Sequence, residues 1–447
     1  MHVDARHIED NSLIEGDICI VGAGAAGISM ALDWINTPYK VILLEGGGFD
    51  YDDRIQELYK GKQTGQPYYP LKSSRLHYFG GTTGHWAGMC TTFDPIDFEK
   101  RDWVPHSGWP IRREDLDVFY ERAHKVVEIG PYNYDLAYWQ KQYPDFKPLL
   151  KNDDVVWNKM WHFSPPTRFG TAYRKTILDA PNVHLYTFAN VVDVRTNSSV
   201  QSVEELTVKN YAGKTHRVRA KYFILSCNGI QNPRILLASN SQAPKGLGND
   251  NDLVGRYFME HLEIKSAVLW LKESDPLDLY KLGKPVRAEL AIRAEKQREL
   301  KILNGTASLS PLSIASKMRP AIETWSKQDP RESLKVLHEY GSKAYERKWY
   351  DRFRKEGNKG YELFTRIEQA PNPQSRVTLD TEKDELGMRR AMLNWELSAI
   401  DKRSIRGIYQ LIGREVGRSA VARVQMMEYL HDENDLTWPS FTGGGWH

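Results

Sequence analysis

The stretch Gly22-Ala-Gly24-Ala-Ala-Gly27 constrains this chain more than any other. It follows an apolar strand pattern at 17–21 and precedes a helical pattern at 28–35. A second apolar strand at 40–44 ends on Glu45 and three glycines. Strand, glycine turn, helix and strand in this order predict a βαβ unit. Gly22 permits the tight turn out of the strand, Gly24 lets the backbone approach a diphosphate, and Gly27 lets the helix pack closely on the sheet. The helix N-terminus then presents free N–H groups and a positive dipole end to phosphate oxygens. The pattern alone is common. Its setting, with Glu45 placed to accept hydrogen bonds from ribose hydroxyls, makes it a dinucleotide site. An acid there argues against a 2′-phosphate and hence against NADP. A glycine turn with no ligand is the alternative.

Composition narrows the class. The 447 residues are 40% apolar and 27% charged, the balance of a water-soluble protein of more than one domain. A net charge of +3 calls for neither nucleic acid nor an acidic membrane. Cys19, Cys90 and Cys227 form no CxxC pair, so zinc, haem attachment and a disulfide framework lack support. Cys19 and Cys227 read as small core residues. Residues 1–11 lack the layout of a signal peptide, and no uncharged apolar run is long enough to span a bilayer. A cytoplasmic location is the default expectation, with export on a partner subunit left open.

Further along, 113–129 reads as a helix, 183–194 as a strand, and 206–225 as a hairpin turning at Ala212–Gly213. A buried strand at 221–225 leads into a turn at 227–229 and a helix from Asn232. Residues 317–359 stand apart, with 12 Lys/Arg against 7 Asp/Glu and interleaved aromatic rings. They predict an amphipathic helical insertion packed on the body, or a docking face for a partner subunit or an active-site cover.

The second motif is Gly80-Gly-Thr-Thr-Gly-His-Trp-Ala-Gly88. Glycines bracket His85 and Trp86, so the stretch can run flat against a planar ring while His85 projects at it. A core histidine in a turn is the plainer alternative. Together with Gly22–Gly27 and Glu45, this loop resembles the glucose–methanol–choline oxidoreductases, within them the branch of pyranose oxidases and bacterial glycoside dehydrogenases. Further matching pieces are Asn228-Gly-Ile-Gln-Asn-Pro-Arg-Ile-Leu-Leu, Asp252-Leu-Val-Gly-Arg-Tyr-Phe-Met-Glu-His261, Pro373-Gln-Ser-Arg-Val-Thr-Leu and the terminal Gly443-Gly-Gly-Trp-His447. They run in the family's order from Gly22 to His447.

The resemblance implies FAD as cofactor. It places His85 where pyranose oxidases bond the flavin covalently, although some relatives hold FAD without that bond. Gly80 and Gly81 shape the loop. Ala87 stands where pyranose oxidases carry a threonine near the flavin's reactive edge, which tilts the expectation from oxidase toward dehydrogenase. Asn190 and Val191 match the backbone that reads the adenine, and Asn228 and Gly229 the opposite wall. In Phe163-Ser-Pro-Pro-Thr-Arg-Phe-Gly170, Arg168 either lines a polar substrate pocket or pairs with a surface acid. The family's base is a histidine in a C-terminal segment, where His447 stands. The strand and helix that follow it in the family, with the asparagine or second histidine they carry, have no counterpart here. That predicts a processed, truncated or partner-completed protein.

The expected fold is α/β: a Rossmann-type FAD-binding domain (1–100 and 182–270) interleaved with an α+β sheet-and-helix substrate domain (101–181 and 271–447). The expected activity is oxidation of a secondary alcohol of a sugar or glycoside, with hydride passing to flavin N5, a histidine as base and an unknown electron acceptor. A small partner subunit or homo-oligomer is part of this expectation. The rivals are an NAD-linked dehydrogenase, for which the loop around His85 has no use, and a non-catalytic or partner-completed dinucleotide-binding subunit.

Overall fold

Strands β3 (Ile18–Val21) and β4 (Val41–Leu44) are apolar throughout and buried at every position, as parallel strands covered on both faces must be. In the computed structural model, which describes residues 1–272, 277–311, 359–427 and 430–431, they form the centre of a five-stranded parallel sheet. Its order is β1 (His2–Asp4), β8 (Val183–Thr187), β4, β3 and β12 (Tyr222–Leu225). The helix Ala25–Asp33 covers one face, where Ile28 and Ala31 meet Ile18, Ile20, Val41, Leu43 and Leu185. The helix Asn228–Ala238 belongs to the other face, where Ile235 packs with Cys19, Val21, Ile42 and Leu44. Burying an Ile28-sized side chain fully is worth ~1.5–3 kcal/mol. A four-stranded sheet, β2 (Leu13–Glu15), β11 (Thr215–Arg219), β10 (Val203–Lys209) and β9 (Asn190–Thr196), lies alongside in sequence, with the expected hairpin turning through Gly213 at φ +76°.

The second layer system is a seven-stranded sheet whose neighbouring strands all pair antiparallel. Its order is β19 (Ala422–Met426), β13 (Leu262–Leu271), β16 (Lys359–Ile367), β15 (Gly305–Pro311), β14 (Val286–Ile292), β7 (Val156–Phe163) and β6 (Met89–Cys90). The helix Ala399–Arg418 buries Ile405, Ile408, Tyr409 and Ile412 in the core on one face of it. A three-stranded sheet, β17 (Arg376–Lys383), β18 (Arg389–Trp395) and β5 (Lys62–Gly65), completes the strands. The parallel sheet plus a separate mixed sheet-and-helix region is the α/β architecture expected. One difference concerns residues 262–270, which the sequence reading left with the FAD-binding part: β13 pairs in the seven-stranded sheet instead. Another is the helix expected from Asn232. It starts four residues earlier, because the Asn228 side chain accepts from the N–H groups of Ile230 and Gln231 and so caps the first turn.

Most of the basic stretch 317–359 lies outside the described residues, and so do 432–447, which include His447. Among the described residues no helix is long and apolar enough to cross a membrane.

Candidate active site

A cavity of about 330 Å³ opens where the parallel strands end and the two long helices of that domain begin. Its floor is the glycine turn. Gly22 takes φ +98°, open to glycine and strained for any side chain. A Cβ on Gly24 would meet no protein atom within 4 Å, so it would stand in the cavity itself. A Cβ on Gly27 would come within 1.9 Å of the Gly22 carbonyl oxygen, so Gly27 serves close packing. The helix Ala25–Asp33 begins at Gly24 with no side-chain cap, leaving its first N–H groups for a ligand.

Glu45 follows β4 and is only 5% exposed. Its carboxylate accepts from Ala23 N (3.0 Å) and Gly47 N (2.9 Å), which fixes it against the glycine turn. Burial pushes its pKa up, partly offset by those backbone donors. Asn190 holds the opposite wall by donating from Nδ2 to the Gly46 carbonyl at 3.0 Å.

The Gly80 loop closes the cavity from above. Gly80 N–H donates to the Ala23 carbonyl at 2.8 Å, and Thr82, Thr83 and Trp86 join the lining. Arg168 does not line this cavity and pairs with no acid among the described residues; its Nη1 donates to the carbonyls of Thr83 (2.8 Å) and Trp86 (3.0 Å). It braces the loop. His85 sits between those braced residues, behind the wall rather than in it, with its pKa lowered by burial and then by Arg168. The imidazole is therefore neutral at neutral pH.

Of the residues singled out from the sequence, Gly22, Gly24, Glu45, Gly81, Val191 and Asn228 line the cavity. Gly27, Gly80, His85, Ala87, Gly229 and Arg168 lie around it. Cys227 packs against the core of the parallel sheet, as expected, and also lines the cavity; burial pushes its thiol up to about 12, so it stays protonated. Tyr59 and His77 were missed. Their rings stack at 4.2 Å and 4° on the cavity wall, and burial lowers His77 to about 3. The available signal was the pair Arg75 and His77 just ahead of Gly80 in a loop otherwise short of charge.

A second polar centre lies on the seven-stranded sheet. Glu289, fully buried, accepts from Arg287 (2.6 Å), Arg366 (3.0 Å) and Thr306 (2.5 Å). Its sequence signal is the pair of charges inside the apolar run Val286–Ile292. Among the described residues no group of three His, Cys, Asp or Glu is placed to hold a metal ion.

The residues fit an adenine dinucleotide: a cradle that a Cβ on Gly24 would fill, an uncapped helix start beside it and a buried carboxylate at ribose distance along the strand ends. The site is therefore of the dinucleotide-binding class. No family profile matches the chain. It is 27% identical over 303 residues to 2-methyl-1,2-propanediol dehydrogenase of Mycolicibacterium austroafricanum, covering 55% of each chain. It is 22% identical over 327 residues to the fructose dehydrogenase large subunit of Gluconobacter japonicus, covering 56% of this chain and 59% of that one. Pyridoxine 4-oxidase superposes at a TM-score of 0.49 with 15% identity, over 91% of this chain and 82% of the other. The chain spans about half the length of the curated relatives it matches. The motifs and the curated relatives both point to the glucose–methanol–choline oxidoreductases, a family whose cofactor is FAD.

Proposed function

We propose that this protein oxidises a CH–OH group of a sugar or glycoside with FAD, and that it works as a dehydrogenase rather than an oxidase. The observation that carries the reading is the meeting of Glu45, the glycine turn and the Gly80–Trp86 loop around one cavity. Bound FAD supplies the ring that takes the hydride from the carbinol carbon. The chain's own residues do the rest. The first N–H groups of the helix Ala25–Asp33 would hold the diphosphate, Glu45 would accept from ribose hydroxyls, and the braced loop at Thr82–Trp86 would border the flavin. We assign the substrate's hydroxyl proton to His447, since a histidine exchanges protons near neutral pH. Covalent attachment of the flavin to His85, a neutral imidazole carried by that loop, is part of the proposal.

The sugar reading draws support from the relative described as fructose dehydrogenase, and the dehydrogenase reading from Ala87 and from two of the relatives' names. That relative is described as a large subunit, so we extend the proposal to a small partner or a second copy of this chain. The test uses the full gene product: visible flavin absorbance after purification, then turnover of an artificial electron acceptor across a panel of sugars, glycosides and simple diols. Activity on diols alone would remove the sugar assignment. A colourless protein that takes up no FAD would remove the whole reading. Mass spectrometry after denaturation reports the His85 bond, and His447→Ala should lower kcat by several orders of magnitude if His447 is the base.

A further inference from the structure

Four arginines in the described structure are buried to 5% exposure or less: Arg75, Arg101, Arg234 and Arg287. Three close on a carboxylate, Arg101 on Glu368, Arg234 on Asp384 at 2.5 Å and Arg287 on Glu289 at 2.6 Å. Arg75 closes on none among the described residues. Around it stand Tyr59 and Tyr68, both kept neutral by burial, and Arg234, a cation of its own sign. Its Nη2 donates to the carbonyls of Tyr59 (3.1 Å) and Leu71 (3.3 Å), Nη1 reaches Asn228 Oδ1 at 3.5 Å, and Nε has no partner among the described residues. Neutral acceptors leave a buried cation uncompensated, an expensive arrangement unless an anion arrives.

The position says which anion. The Arg75 guanidinium lies 4.1 Å over the Tyr59 ring, and Tyr59 and Asn228 both line the cavity, so one side chain separates the charge from the space. Asn228 follows Cys227, whose Sγ would lie 2.9 Å from a Cβ on Gly22. The Arg75–Asn228 contact is therefore next to the glycine turn that faces the cofactor's phosphates. Asn228 also holds φ +86°, a left-handed conformation that few non-glycine residues adopt, and its Oδ1 serves Arg75 as well as its own helix.

We propose that Arg75 is a positioning residue for FAD: its charge, held one side chain behind the cavity wall, balances the cofactor's diphosphate and fixes Asn228 at the start of its helix. The inference rests on the FAD reading above. It predicts that affinity for the diphosphate, with or without a flavin attached, depends on a positive charge at this position.

The test titrates the full chain, produced without flavin by expression under riboflavin limitation, with FAD and with ADP, in the wild type, Arg75→Gln and Arg75→Lys. Arg75→Gln keeps donors for the Tyr59 and Leu71 carbonyls without the charge, and should weaken both ligands by about tenfold or more, as loss of a charge-assisted contact does. Arg75→Lys should stay within about threefold at neutral pH and lose affinity as pH rises, because a buried lysine deprotonates where arginine does not. Unchanged binding by Arg75→Gln overturns the proposal. So does weakened FAD with unchanged ADP, which would move the charge to the flavin end. Should Arg75→Gln not fold, Arg75→Lys decides, and an affinity as flat in pH as the wild type's overturns it. A wild-type chain that binds neither ligand removes the FAD reading, and this proposal with it.

Discussion

Gly81 packs directly on Gly24: a Cβ on Gly81 would stand 3.0 Å from the Gly24 Cα, and Gly81 holds φ +52°. The two glycine motifs thus form opposite walls of one narrow space. Gly81→Val should both strain its own backbone, at ~1–3 kcal/mol, and push the loop off the glycine turn. We expect lower thermal stability together with loss of bound flavin, read by unfolding and by absorbance on the same preparation. A variant that keeps full flavin would contradict this packing.

Gly24 and Gly27 separate binding from folding. Gly24→Val places its side chain in the cavity, with no protein atom within 4 Å of the new Cβ. Its apo stability should stay within ~1 kcal/mol of wild type while FAD binding is lost. Gly27→Ala collides with the Gly22 carbonyl at 1.9 Å, so it should lower stability by ~1–3 kcal/mol whether or not FAD is present. Equal effects of both variants on apo stability would be the contrary result.

Arg168 supports the loop that carries His85. Arg168→Ala removes donors to the Thr83 and Trp86 carbonyls and should cost ~1–3 kcal/mol by urea unfolding. If His85 bonds the flavin, the same variant should lower the covalently attached fraction, measured by intact mass. Lysine, with a single compact ammonium, should restore only part of either quantity.

Asp97 sets a pH dependence. Burial, then the neighbouring Glu368, raises its pKa to about 6. A carboxyl raised in the folded state holds its proton more tightly there than in the unfolded chain. Its contribution to stability is full below the unfolded value of about 3.9 and is lost as pH rises through about 6, a change of ~2 kcal/mol for this mostly buried group. Asp97→Asn should lack that slope between pH 4 and 6 in a series of melting temperatures. A slope equal to wild type would assign the effect elsewhere.

Arg234 and Asp384 form an ion pair whose side chains are 3% and 4% exposed. Arg234 also donates to the carbonyls of Leu58 and Arg389, so it ties the helix Asn228–Ala238 to the segment that carries Tyr59. Asp384→Ala strands the guanidinium and should cost ~3–5 kcal/mol by denaturant unfolding. Replacing both partners by apolar residues of similar volume should cost much less, which a double-mutant cycle would show.

Local chemistry made much of this legible. The βαβ unit was readable because its glycines and its apolar strands each satisfy a short-range requirement: positive φ at Gly22, close packing at Gly27, and continuous burial along Ile18–Val21 and Val41–Leu44. Glu45 was readable because its distance from the turn along the chain fixes where it stands at the strand ends. The role of Arg168 was not. Nothing within Phe163–Gly170 specifies that its guanidinium turns toward carbonyls some eighty residues earlier in the chain.

By itself, then, the sequence determined the glycine turn, the parallel strands and the acid beside them, because backbone conformation and burial period are properties of neighbouring residues. Only the tertiary structure decided what faces what: that Gly81 lies on Gly24, that Cys227 and the Tyr59–His77 stack form a wall, and that β13 leaves the first domain for the seven-stranded sheet. It also decided that Arg75, alone among the buried arginines described, has no carboxylate. Those outcomes depend on contacts between segments far apart in the chain, where many partners satisfy the local rules equally and packing of the whole selects among them.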